Sequence, residues 1–427
     1  MRIKYFLIYI FICFAAASEA AITKSIRDFG AKGNGITNDH DAFVKAADFF
    51  KKNGGNGKLV IPSGTYIVGK QTKSLTASRY IIESDAFFLN NCSNFTIEGT
   101  GKVKIKYADN LKFGTFDPKS GTKFNPKTLP FYDASKSAQI GCLFRFENCS
   151  GIQILYIEAD GNNNNAIVGG AYGDMGIQLW HYGLHFVNCR NVKIDKVKIH
   201  HFCLDALSIR NSAKQRGNYQ ILNSDFSYNG RQGFSWVGGR DITVKNCSFN
   251  NNGQAKIASS PAAGVDIEPE SGNSIYNGTF ENCKFINNKG CGLLADASGS
   301  EKMTFKGCTF WGVDHWSVLV NQKDYSFYKC NIYGSFLRGY LTSDYTDATK
   351  FFSCTFKDSS YNGKAPYGKY LIECDSRKKM IFERCLFVAK NKKIMWYNGT
   401  ASTQAEDQPV FTDCIAEVDG RRVPFKK

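Results

Sequence analysis

Asp266 and Glu268 lie two residues apart. On a strand, both side chains therefore leave the same face, with Cα atoms roughly 6.7 Å apart. If Asp296 sits one turn further along a stacked chain, it comes within about 4.8 Å of Glu268. Cleavage of a glycosidic bond uses one protonated acid and one ionised partner. Their carboxyls are spaced about 5–5.5 Å apart for retention or about 6.5–9.5 Å for inversion. Like charges this close raise one pKa, so that one carboxyl keeps its proton. The hydrolytic route needs no cofactor, but Asp266, Glu268 and Asp296 also suit Ca2+, an ion that takes oxygen ligands. As plain surface, the same acids would be a solvated polar face.

A second group precedes them: His200-His201, Asp205, Arg210, and Arg231-Gln232. Arg210, Arg231, His185 and His201 fit the competing chemistry, β-elimination. There a base removes the proton α to a uronate carboxylate and a cation neutralises that carboxylate. The insertion from Asp160 to Tyr182 supplies Tyr172, Trp180, His181 and Tyr182, rings of the kind that stack on pyranose faces. Together with His185 and Gln232 these are the expected substrate contacts. The runs 162–165 and 250–263 are expected to wall a groove.

These residues need a rigid scaffold, and the sequence repeats in a way that provides one. Short strands recur with Ile209, Trp236, Ile267, Ala295 and Val320 in equivalent places, one turn of chain apart. Strands so short, set between Asn, Gly and Ser without intervening helices, do not make a doubly wound sheet. Stacked coils remain. If Phe146, Phe186, Ile209, Trp236, Ile267, Ala295 and Val320 fill the interior, two outward columns follow. One is Arg145, His185, Ser208, Ser235, Asp266, Leu294, Leu319; the other is Glu147, Val187, Arg210, Val237, Glu268, Asp296, Asn321.

The cysteines repeat as well, in Asn91-Cys92, Asn148-Cys149, Asn188-Cys189, Asn246-Cys247 and Asn282-Cys283, with Gly307-Cys308, Lys329-Cys330, Ser353-Cys354, Arg384-Cys385 and Asp413-Cys414 as variants. Fifteen cysteines in an exported chain would suggest disulfides. A fixed repeat position instead predicts a buried column of small side chains. One helix is expected, entered at Thr37-Asn38-Asp39, with Phe43, Ala46, Ala47 and Phe50 on its apolar stripe, covering the open first coil.

Residues 1–20 have the layout of a cleavable secretory leader: Arg2 and Lys4, an apolar run from Tyr5 to Ala17, then Ser18-Glu19-Ala20. The expected product is an exported protein, extracellular or periplasmic, with residues 21–427 as a single β-helix domain and no membrane span. The chain carries 54 basic and 38 acidic residues; losing Arg2, Lys4 and Glu19 leaves 52 against 37, a net +15. That balance favours polyanions, and no nucleic-acid-binding motif accompanies it. The oligomeric state is not encoded in any pattern here.

Asp28-Phe29-Gly30-Ala31, Gly35, Asn38-Asp39, the helix, and Leu59-Val60-Ile61-Pro62 followed by Gly64 and Tyr66 resemble the N-terminal signature of the pectate-lyase-like superfamily. Its members include polygalacturonases and phage tailspikes. The resemblance implies an all-β, single-stranded right-handed parallel β-helix with an N-terminal capping helix, acting on a polysaccharide. Leu204-Asp205-Ala206 and Gly230-Arg231-Gln232-Gly233 resemble the two polygalacturonase coils that carry paired aspartates and then Gly-His-Gly. Leu204 and Arg231-Gln232 depart from that pattern, so only Asp205 carries over as an acid. The expectation is a glycoside hydrolase or a polysaccharide lyase on an acidic or partly acidic glycan. The alternative is a non-catalytic glycan-binding adhesin.

Overall fold

The computed structural model describes residues 22–73, 81–123, 134–170, 178–212, 216–270, 272–342, 344–374, 380–390, 392–397, 409–418 and 420–425. The leader and Tyr172 lie outside the described residues.

The recurring strands stack in parallel. One ladder joins Phe87–Asn90, Phe144–Glu147, Leu184–Val187, Leu207–Arg210, the first part of Phe234–Lys245, Val265–Ile267, Leu293–Ala295, Val318–Val320 and Phe336–Arg338. A second runs through Gly57–Val68, Phe95–Tyr107, Ile275–Glu281 and Ser300–Lys306. A third runs through Glu158–Asp160, Lys198–His200 and Asp225–Ser227. This is the expected parallel β-helix.

Alternation sets the register. The expected interior residues, Phe146 through Val320, are fully buried. On the outer face Arg145, His185, Ser208, Ser235, Asp266, Leu294 and Leu319 pair in unbroken succession. The other expected column fails at Val237. A bulge after Ile209 pairs Arg210 with Gly238, and Val237 is buried.

The interior is a stack of rings. Phe280, Phe305, Phe327, Phe351, Phe382 and Phe411 lie nearly parallel, with centroids 4.9–5.0 Å apart. Beside them runs the cysteine column. All described cysteines are buried and unbridged, and the thiols of the repeat column donate to carbonyls, as Cys149 Sγ does to Glu147 (3.2 Å) and Leu89 (3.6 Å). The residue before each repeat cysteine is left-handed, with φ 56° at Asn246 and 54° at Asn282. Asn tolerates that region best after Gly, which explains the Asn-Cys phrase. The variants Gly307, Lys329, Ser353, Arg384 and Asp413 are left-handed too.

The helix His40–Lys52 covers the first turn and buries Phe43, Ala46, Ala47 and Phe50. Its cap differs in detail from expectation. Asn38 Oδ1 accepts from His40 N–H (3.0 Å), whereas the Asp39 carboxylate accepts from Lys32 (2.7 Å) and Gly33 (3.0 Å) in the preceding loop. At the other end, Arg421–Pro424 pairs antiparallel with Ile415–Val418, so a hairpin blunts that edge. Among the described residues, no helix is long and apolar enough to cross a membrane.

Candidate active site

The strand Val265–Ile267 brings Asp266 to the centre of the outer face, between Ser235 and Leu294. Its carboxyl is only 2% exposed. Gln232 Nε2 donates to Asp266 Oδ2 (2.5 Å), and the Asp266 carboxyl hydrogen-bonds that of Glu268. Burial first, and then the charge on Glu268, raise Asp266 well above the ordinary carboxylate range. Two carboxyls in such contact share a proton, and the more buried one holds it. Of the two carboxyls, Asp266 is the one whose burial favours the protonated form, the form that would donate to Glu268. Glu268 is exposed and continues outward; its own pKa is raised by burial and by Glu270.

Asp205 lies beneath this pair with no exposure. Arg231 grips it with both arms, Nε to Oδ1 at 2.8 Å and Nη2 to Oδ2 at 2.5 Å. Burial raises the Asp205 pKa, and Arg231 opposes the rise. With both oxygens engaged, Asp205 anchors Arg231 and does not reach substrate as an acid. Arg210 pairs with Glu270 (2.5 Å), so the two arginines are balanced by Asp205 and Glu270. Glu268 has no direct ion pair among the described residues, though the Arg231 charge and the Asp266 hydrogen bond both lower its pKa. Glu270 escaped the sequence reading, although Asp266-x-Glu268-x-Glu270 continues the period-two pattern past the end of the strand.

Several expected members lie elsewhere. Asp296 follows the strand Leu293–Ala295, is exposed, and pairs with Arg338. Among the described residues, Asp266, Glu268 and Asp296 do not converge as one group of ion ligands, and Asp296 is held by Arg338 instead. His201 stands at the end of Lys198–His200 on the third ladder, beside His200 and Asp160, with its pKa lowered mainly by burial. The strand period assigns a face within a ladder but does not say which ladder a corner residue joins. Gln232 is buried and positions Asp266 instead of contacting substrate.

The upstream wall is aromatic. Trp180 is partly exposed and lies under the Arg145 guanidinium at 4.7 Å. Tyr182 and His185 stack at 4.8 Å but are 8% and 6% exposed, so they back the wall and do not line it. Tyr182 packs with Cys142 and Leu204, which accounts for its burial. Burial lowers His185 to about 3, which keeps it neutral. His181 is fully buried against Tyr107 and Phe202 and leaves the groove altogether. Downstream the column turns apolar, through Leu294, Leu319 and Leu337, flanked by Trp316, whose Nε1–H donates to Glu373 (3.0 Å). Pro261, Ala262, Lys289, Cys291, Leu294 and His315 line a cleft of about 520 Å3 next to this stretch. The expected wall 250–263 does border it.

A family model described as "Right handed beta helix region" matches residues 151–325. The A-module of the Azotobacter vinelandii mannuronan C-5 epimerase AlgE4 superposes with a TM-score of 0.56 at 15% identity, covering 92% of this chain and 96% of that one. The AlgE6 A-module from the same organism gives 0.51 at 16% identity, covering 92% and 98%. No curated protein matches by sequence. The chain is a right-handed parallel β-helix.

Proposed function

We propose that the chain is an exported enzyme that cleaves a partly acidic polysaccharide laid along the Asp266 face, with Asp266 as proton donor. The observation that carries this reading is a buried carboxyl, its pKa raised by that burial, set at the middle of an outward face. It is oriented by Gln232 and hydrogen-bonded to an ionisable partner, Glu268. Trp180 and Arg145 on one side and Leu294, Leu319 and Trp316 on the other supply the stacking and apolar contacts a sugar chain uses.

Hydrolysis is favoured over elimination by charge. Elimination from a uronate needs a cation facing the carboxylate, yet Arg231 and Arg210 are already balanced by Asp205 and Glu270. Direct contact between Asp266 and Glu268 is closer than the roughly 5–9.5 Å of working hydrolase pairs. A glycosidic oxygen entering the site would accept the Asp266 proton in place of Glu268. Glu268 would then be released as the ionised partner. The net positive charge of the whole chain draws an acidic polymer to the surface. The mannuronan epimerases that share the fold act on such a polymer by name.

The test is incubation of residues 21–427 with a panel of polysaccharides, with and without a chelator. New reducing ends without the ultraviolet chromophore of an unsaturated uronide are expected. Appearance of that chromophore would replace hydrolysis by elimination, and saturable binding without product would make the chain a glycan-binding solenoid.

A further inference from the structure

A second cluster lies on the third ladder, apart from Asp266. Pairing of Lys198–His200 with Glu158–Asp160 sets His200 beside Asp160. His200 alternates with the buried Ile199 and so points outward, yet it is only 5% exposed. His201 takes the left-handed corner position, φ 56°. Further along this corner the residues are Asn251 and Asn287, and their side-chain amides are bonded at 2.6 Å. At His201 and Tyr228 the amide ladder gives way to stacked rings 5.6 Å apart.

The donor atoms converge. His200 Nδ1 and His201 Nδ1 are 2.6 Å apart, and Asp160 Oδ1 lies 3.8 Å from His200 Nδ1. One ligand atom from each of the three residues lies within 4.8 Å of the others. Glu158 Oε1 sits 3.3 Å from His200 Nε2 and accepts its proton, which leaves the Nδ1 lone pair aimed into the cluster. This is the carboxylate–histidine arrangement that orients metal ligands. Two lone pairs cannot face each other at this distance, so without an ion His201 donates its Nδ1–H to His200. Lys104 engages the far oxygen, Asp160 Oδ2, at 2.9 Å, while Oδ1 accepts the Asn162 N–H (2.9 Å) on one lone pair and has a second for an ion.

We propose that Asp160, His200 and His201 form a binding site for a divalent transition ion of the zinc, cobalt and nickel class, held by Asp160 Oδ1 and the two Nδ1 atoms. Two nitrogens and one oxygen match these ions and not Ca2+, which takes oxygen ligands throughout. Binding requires the His201 Nδ1 proton to leave for Nε2 or solvent.

The experiment is calorimetric titration of residues 21–427 with Zn2+, with visible absorption of the Co2+ form, on the wild type and on His201→Asn and Asp160→Asn. Asn fits the left-handed corner, as Asn251 and Asn287 do, and circular dichroism confirms the fold of each variant. The expected result is one Zn2+ per chain, d–d bands with Co2+, and at least ~10-fold weaker binding in each variant. Lys104→Met, which removes the competing ammonium, should bind at least as tightly as the wild type. Absence of saturable Zn2+ binding would overturn the proposal, as would wild-type affinity in His201→Asn. Loss of binding in His315→Ala alone would place the ion at the Cys291–His315 contact (3.2 Å) instead.

Discussion

The Asn-Cys corner and the Asp266 face are cut from the same coils but treat their polar groups in opposite ways. At the corner each turn repeats the last. Asn223 donates to Asp195 (3.0 Å) and Asn246 to Asn223 (3.0 Å), and each thiol finds a carbonyl. On the face the residue changes in charge, size and polarity along the column. Arg145, His185, Ser208, Ser235, Asp266 and Leu294 follow one another, and the buried atoms Gln232 Oε1 and His185 Nδ1 have no hydrogen-bond partner. A repeat that satisfies itself serves the solenoid. A stretch that breaks the repeat and leaves buried polar atoms unpaired departs from what stacking alone requires.

The contrast should appear first in stability. Arg231→Met leaves Asp205 buried without its partner and should cost about 3–5 kcal/mol. Asn246→Gly, which accepts the left-handed backbone, removes the amide contact at the corner and should cost about 1 kcal/mol. Denaturant unfolding of both variants measures the gap, and equal costs would erase the distinction between the two regions.

A smaller effect, spread over pH, sharpens it. His181 and His185 are lowered to about 3 by burial, so the folded state keeps them neutral while the unfolded chain protonates them below pH about 6.5. Between those values the unfolded state binds more protons, so stability falls as pH falls. The slope is on the order of 1.4 kcal/mol per pH unit for each histidine. Unfolding of His185→Gln across this window should lose one histidine's share of that slope, and an unchanged slope would contradict the burial assigned to His185.

Much of this was legible in the residues. Alternation placed the whole column from Arg145 to Leu319 in register, because the interior positions are large and apolar and a slip by one would bury the polar set. The Asn-Cys phrase announced a buried column because a fixed repeat position places each cysteine at the same point of its coil, as the burial of all the repeat cysteines bears out. Legibility stopped at the strand ends. Asp296 and Glu270 both lie just past a strand, where side-chain direction follows the loop and not the pleat; one was wrongly gathered into the cluster and the other missed. His201 sits on a corner, and Tyr182 and His181 are covered by turns far away in sequence. Their burial depends on tertiary packing that no local period encodes.

Asp266→Asn with Glu268→Gln tests the central claim most directly, because Asn keeps the shape and the donor of a protonated Asp266. Relieving a carboxyl whose pKa is raised should leave the variant at least as stable as the wild type at neutral pH, with any gain fading as pH falls toward the ordinary carboxylate range. The measurement is product formation and binding on the same glycan for wild type and variant. The account predicts retained binding with product formation lowered by at least about 100-fold. Wild-type turnover in the folded variant would contradict it and remove the chemistry from this face.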